Sequence, residues 1–148
     1  MQPDRLARRA RPTGMDFLRQ WAAGLVAFVV LDFAWLGIVA NGFYRRELGP
    51  ILRMSGDRMD PRLAPAVLFY ALFVLGLVVF ALPRARAGSL AETMAWTGLF
   101  GLIAYSVYDL TNYATLQAFP LRVVVVDMAW GAVLSALTGA AMWLVRPA

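Results

Sequence analysis

The 148 residues contain no cysteine, no histidine and no lysine, so all 14 basic residues are arginines. The missing cysteine excludes disulfides, thiolate nucleophiles and sulfur-ligated metal sites. The missing histidine removes the commonest general base, the usual haem ligand and most zinc or copper chemistry. Carboxylates are left as the main candidates for proton or cation chemistry, and no cofactor and no metal centre is expected. Charge is also scarce: 16% of residues are charged against 61% hydrophobic, and the mean hydropathy is +0.63. That balance lies outside the range of ordinary soluble domains and points to a polytopic membrane protein of one domain. The net charge of +5 sits mostly in a tail and in loops flanking apolar runs. This placement suits anionic lipid head groups and argues against nucleic acid, which needs the charge along a soluble face.

Residues 1–14, with Arg5, Arg8, Arg9 and Arg11, lack apolar periodicity and read as a disordered basic tail, with Met15 as a second candidate start. Residues 15–148 form the membrane domain. Four helices are expected, about 17–41, 63–82, 92–114 and 122–145, each near the ~20 residues that cross a hydrocarbon core of ~30 Å. Short links between neighbours imply an all-α, up-down-up-down four-helix bundle. Trp21 is expected as an interfacial anchor and Ser89 with Glu92 as a capping box. Between the first two spans, residues 43–54 suit either a helix lying flat on the membrane or a loop, because Gly49-Pro50 weakens a continuous helix. Ser55-Gly56-Asp57 reads as a turn.

Three aspartates interrupt the apolar runs: Asp32, Asp109 and Asp127. An intramembrane carboxylate costs roughly 2.5–3.5 kcal/mol at a helix centre and so faces protein or a water-filled cavity. Converted to depth at ~1.5 Å per residue, all three lie within about 14 Å of one membrane surface, and Tyr70 joins them there. On the third span Thr97, Gly101, Tyr105 and Asp109 share a face, flanked by Tyr108 and Asn112. On the fourth, Asp127, Gly131, Ser135 and Gly139 form a small-residue stripe that permits close helix approach. Asp32-x-x-Trp35 and Asp127-x-x-Trp130 repeat one arrangement on the first and last spans. The expected ligand or proton site therefore comprises Asp32, Asp109, Asp127, Tyr70, Tyr105, Tyr108, Asn112, Trp35 and Trp130. The bland alternative is a hydrogen-bonded network that only fixes helix register, with Arg45, Arg46 and Arg122 reaching in as ion-pair partners.

At these residues the chain resembles the family of small bacterial inner-membrane proteins called domain of unknown function 2177. The resemblance rests on Leu31-Asp32-Phe33-Ala34-Trp35-Leu36-Gly37, Phe43-Tyr44, Phe69-Tyr70, Tyr108-Asp109-Leu110-Thr111-Asn112 with Thr115, and Val126-Asp127-Met128-Ala129-Trp130-Gly131. It covers roughly residues 15–145 and implies a four-span protein without an assigned activity or catalytic residue.

Orientation turns on arginine placement. One side carries Arg5, Arg8, Arg9, Arg11, Arg19, Arg84, Arg86 and Arg146, the other Arg45, Arg46, Arg53, Arg58, Arg62 and Arg122. Counting the tail places both termini in the cytoplasm; starting at Met15 reverses the bias. Three roles fit this sequence. The first is binding or transport of a small molecule, cation or proton, with a homodimer expected because four helices leave little room for an alternating path. The second is a membrane-embedded enzyme acting on lipids or isoprenoids through an aspartate pair. The third is an accessory subunit whose aspartates only lock the bundle.

Overall fold

The computed structural model describes residues 13–56, 58–86 and 88–146. The arginines expected in a basic tail, Arg5 to Arg11, lie outside the described residues. Helix α1 (Gly14–Ala34) opens on a reciprocal cap: the Thr13 hydroxyl accepts from the Asp16 N–H, and the Asp16 carboxylate accepts from the Thr13 N–H at 2.9 Å. It runs on through a π-helical turn, Trp35–Val39, and bends at Ala40 into the short helix α2 (Asn41–Leu48). Helix α3 (Leu63–Gly76) ends in a second π turn, Leu77–Ala81, and a 3-10 turn, Leu82–Arg84. Helices α4 (Leu90–Thr115) and α5 (Leu121–Leu144) complete the bundle. The stretch after α2 is neither a flat helix to residue 54 nor a plain loop. The helix stops at Leu48, ahead of Gly49-Pro50, and a minimal hairpin of β1 (Met54–Ser55) and β2 (Arg58–Met59) follows, turning at Gly56 with φ +57°.

Three segments are long and apolar enough to cross a membrane: Gly14–Val39, Leu63–Arg84 and Leu121–Leu144. Helix α4 has the length, 26 residues or about 39 Å. It is more polar than the others, because it carries Thr93, Thr97, Tyr105 and Asp109 within the bundle. The outward surface of the bundle is apolar where that of a soluble protein would be polar. Val26, Val30 and Ile38 are 65%, 62% and 81% exposed, whereas Asp109, Thr97, Thr138 and Ser135 are fully buried. Apolar side chains facing outward all round a bundle are what a lipid solvent selects. Most buried hydroxyls are satisfied within their own helix. Thr97 donates to the Thr93 carbonyl and Thr138 to the Leu134 carbonyl, both at 2.8 Å.

The α4–α5 contact is a zipper stepped every four residues in antiparallel register. A Cβ added at Gly139 would strike Thr97, one at Gly101 would strike Ser135 and the Gly131 carbonyl, and one at Gly131 would enter the Tyr105 ring. Each missing side chain thus makes room for a larger group opposite, as the small-residue stripe implied. On the other flank, Gly24 of α1 admits Met142 of α5, and Gly76 admits the Phe100 ring. Phe28, Phe73, Val74, Leu77, Leu134 and Met142 fill the centre. The Trp21 indole N–H donates to the Ala71 carbonyl at 3.3 Å, and its ring packs on this core.

The Ser89 cap forms as expected, its hydroxyl accepting from the Glu92 N–H at 3.2 Å. Glu92 does not reciprocate to Ser89; its carboxylate turns to the Arg86 N–H at 2.8 Å and to the Arg86 guanidinium. Ser89→Ala should therefore lower stability by about 1 kcal/mol, the usual cost of a lost N-cap, read as a lower melting temperature in detergent.

Candidate functional site

Asp109 and Asp127 meet, and Asp32 lies near Asp127, although up to 95 positions separate these acids in the chain. Asp32, on the last α-helical turns of α1, is 4% exposed and has both oxygens engaged. The Tyr70 hydroxyl of α3 donates to Oδ2 at 2.9 Å, and the Trp130 indole of α5 donates to Oδ1 at 3.0 Å. Asp127 of α5 accepts from the Tyr44 hydroxyl of α2, and Tyr44 accepts in turn from the Trp35 indole at 3.2 Å. The two Asp-x-x-Trp motifs are thus crossed: the tryptophan of the second serves the aspartate of the first, and the tryptophan of the first reaches the other aspartate through a tyrosine. Trp35 and Trp130 stack face to face, with centroids 4.4 Å apart and planes 9° from parallel. Such an offset or parallel pair contributes about 0.5–1.5 kcal/mol beyond its buried area.

Asp109 is placed by the zipper. One turn beyond the Tyr105–Gly131 step, the register sets it against Asp127, and the two carboxyls lie within hydrogen-bonding range of each other. Asp109 is fully buried and no donor reaches either of its oxygens. Two ionised carboxylates in contact repel by roughly 4 kcal/mol at an effective dielectric of about 20, so this arrangement calls for something positive between them. Tyr105 lies within electrostatic range of Asp32, Asp127, Tyr70 and Tyr44, its ring edge-on to Phe73 at 5.9 Å.

Two of the three arginines expected as counter-ions go elsewhere. Arg46 and Arg122 both pair with Glu47, at 3.4 and 3.9 Å, and so tie α2 to the first turn of α5 above the acids. Two sequence-predicted site residues are not drawn in. Tyr108 is 63% exposed on the outward face of α4, since one residue's rotation carries it away from Asp109. Asn112 is half-buried, and its carbonyl caps the helix by accepting from the Leu116 N–H. One residue was missed as a site member, Tyr44, which is 5% exposed and central to the network. Its signal was present in the Phe43-Tyr44 pair within the otherwise basic stretch after the first span. Two open surface grooves are lined by none of the three acids. One, of about 720 Å³, runs between α1 and α5 along Ala22, Val26, Ala27, Val30, Leu137 and Ala141; the other, of about 310 Å³, faces Trp96 and Phe100.

Apolar outward faces around a buried cluster of acids, tyrosines and stacked indoles define an integral membrane protein with a polar interior. The chain belongs to the family described as predicted membrane protein, DUF2177, whose profile matches residues 17–144. No curated protein and no solved structure matches it.

Proposed function

We propose that this protein binds or transports a small molecule, cation or proton at the Asp32–Asp109–Asp127 site. In this reading it acts as a four-span bundle of the bacterial inner membrane, with both termini cytoplasmic and a homodimer as the working unit. The observation that carries the reading is the fully buried Asp109 carboxylate, which faces a second carboxylate and receives no donor. The bonds to Asp32 satisfy that carboxylate as a structural network would; an intramembrane acid facing another acid without a donor supports a place where a positive species comes and goes. Helix α4 takes the least apolar span because it is sheltered by α5, so the polar face never meets lipid.

Liposomes loaded with a pH-sensitive dye, challenged with proton gradients and with single alkali cations, test this. The wild type should dissipate at least one gradient, and Asp109→Asn should abolish that flux while extracting from the membrane as a monodisperse protein. Unchanged flux in Asp109→Asn would remove the site.

A further inference from the structure

Within that reading, we infer that the species held between Asp109 and Asp127 is a single exchangeable proton, and that Asp32 is a fixed structural acceptor that takes no part in the exchange. The inference rests on the binding-site reading above for its function, but its chemistry is independently measurable. Three observations separate a proton from a metal cation or an organic ligand.

The first is space. The step of the zipper next to the acids is closed, because a Cβ at Gly131 would already enter the Tyr105 ring. A proton needs no volume. The second is ligand count. A hard cation requires about six oxygens, or several waters in their place. Here the Asp127 Oδ1 is occupied by the Tyr44 hydroxyl, and no group of three or more acidic ligands suited to a metal occurs among the described residues. The third is hydrogen bonding. Asp109 is buried with both oxygens lacking a donor, next to a carboxyl whose oxygens are acceptors. One proton placed between them supplies the missing bond and removes one negative charge, satisfying both groups together.

Asp32 differs in each respect. Its two oxygens already accept from Tyr70 and Trp130, both of which keep their own protons at ordinary pH. The titratable groups facing the acid pair from the surrounding elements include Asp32 of α1, Tyr44 of α2 and Tyr105 of α4.

Infrared difference spectroscopy on the full chain in lipid vesicles, titrated in H₂O and D₂O without any other ligand, reads this directly. The expected result is a protonated-carboxyl carbonyl band equivalent to one group at neutral pH, moved by deuteration and lost on alkaline titration. It should be missing in Asp109→Asn and in Asp127→Asn, and retained in Asp32→Asn. No such band in the wild type at any pH, a band that survives in both Asp109→Asn and Asp127→Asn, or a band lost in folded Asp32→Asn would overturn the inference. So would displacement of the band by sodium or potassium at constant pH, which would make the species a metal cation. Where one variant fails to fold, the wild-type titration and the remaining variants decide. A cation flux without the band leaves the binding site standing and removes only the proton; a band without flux does the reverse.

Discussion

Gly101→Val should be the most damaging single substitution in the bundle, leaving little protein that extracts in a folded, monodisperse state. A side chain at this position meets the Ser135 hydroxyl and, behind it, the Gly131 carbonyl of the facing helix. A flexible side chain could move aside, but a helix backbone cannot do so without opening the α4–α5 seam along its length. Overpacking a close-packed interior costs about 1–3 kcal/mol in ordinary sites and more where the obstacle is backbone. The cost here is amplified because the same register sets Tyr105 over Gly131 and Asp109 against Asp127. Gly42→Ala is the control: nothing lies within 4 Å of a Cβ there, and its melting temperature should match the wild type. A folded Gly101→Val protein with unchanged thermal stability would show that the two helices do not meet as described.

Asp32→Leu should be nearly as severe, and Asp32→Asn mild. Leucine leaves the Tyr70 hydroxyl and the Trp130 indole N–H buried without an acceptor, and each hydrogen bond to an ionised group contributes about 1.5–3 kcal/mol. Together the loss should be roughly 3 kcal/mol or more, with α1 released from both α3 and α5. Asparagine is different because its carbonyl can accept from the Trp130 indole while its amide donates to the Tyr70 oxygen, whose hydroxyl is free to rotate. Both bonds survive with reversed polarity at one of them. Thermal unfolding of the two variants in the same detergent, followed by tryptophan fluorescence, separates them. Equal destabilisation by Leu and Asn would mean that the charge of Asp32, and not its acceptor geometry, holds the helices.

Much of this architecture could be read in the sequence because a membrane interior imposes simple rules. The period-four stripe Asp127-Gly131-Ser135-Gly139 permits close approach of another helix, and in the folded chain its partner is the face Thr97-Gly101-Tyr105-Asp109. Once the loops fixed which ends were adjacent, the three acids had to share a layer. One misreading arose where the chain leaves ideal helical geometry. Tyr44 escaped notice because the π turn at Trp35–Val39 and the bend at Ala40 change the register, so that no 3.6-residue count from Asp32 or Trp35 points to it. Tyr108 was drawn in because it adjoins Asp109 in sequence, although neighbouring residues on a helix point about 100° apart. In the alternative reading the arginines pair with the aspartates because opposite charge is the obvious partner. In the folded chain Glu47 is nearer to Arg46 and Arg122, and neutral hydroxyl and indole donors serve Asp32 and Asp127 at a lower desolvation cost.

The exchange of partners between the two Asp-x-x-Trp motifs has a mechanical consequence. If each aspartate were served by the tryptophan of its own helix, α1 and α5 could slide past one another while every bond stayed intact. Because the Trp130 tie runs from α5 to α1 and the Trp35–Tyr44 tie runs back from α1 and α2 to α5, any such slip breaks both at once and also unstacks the rings. The two helices are bolted from opposite sides, so this end of the bundle opens as a unit or stays shut.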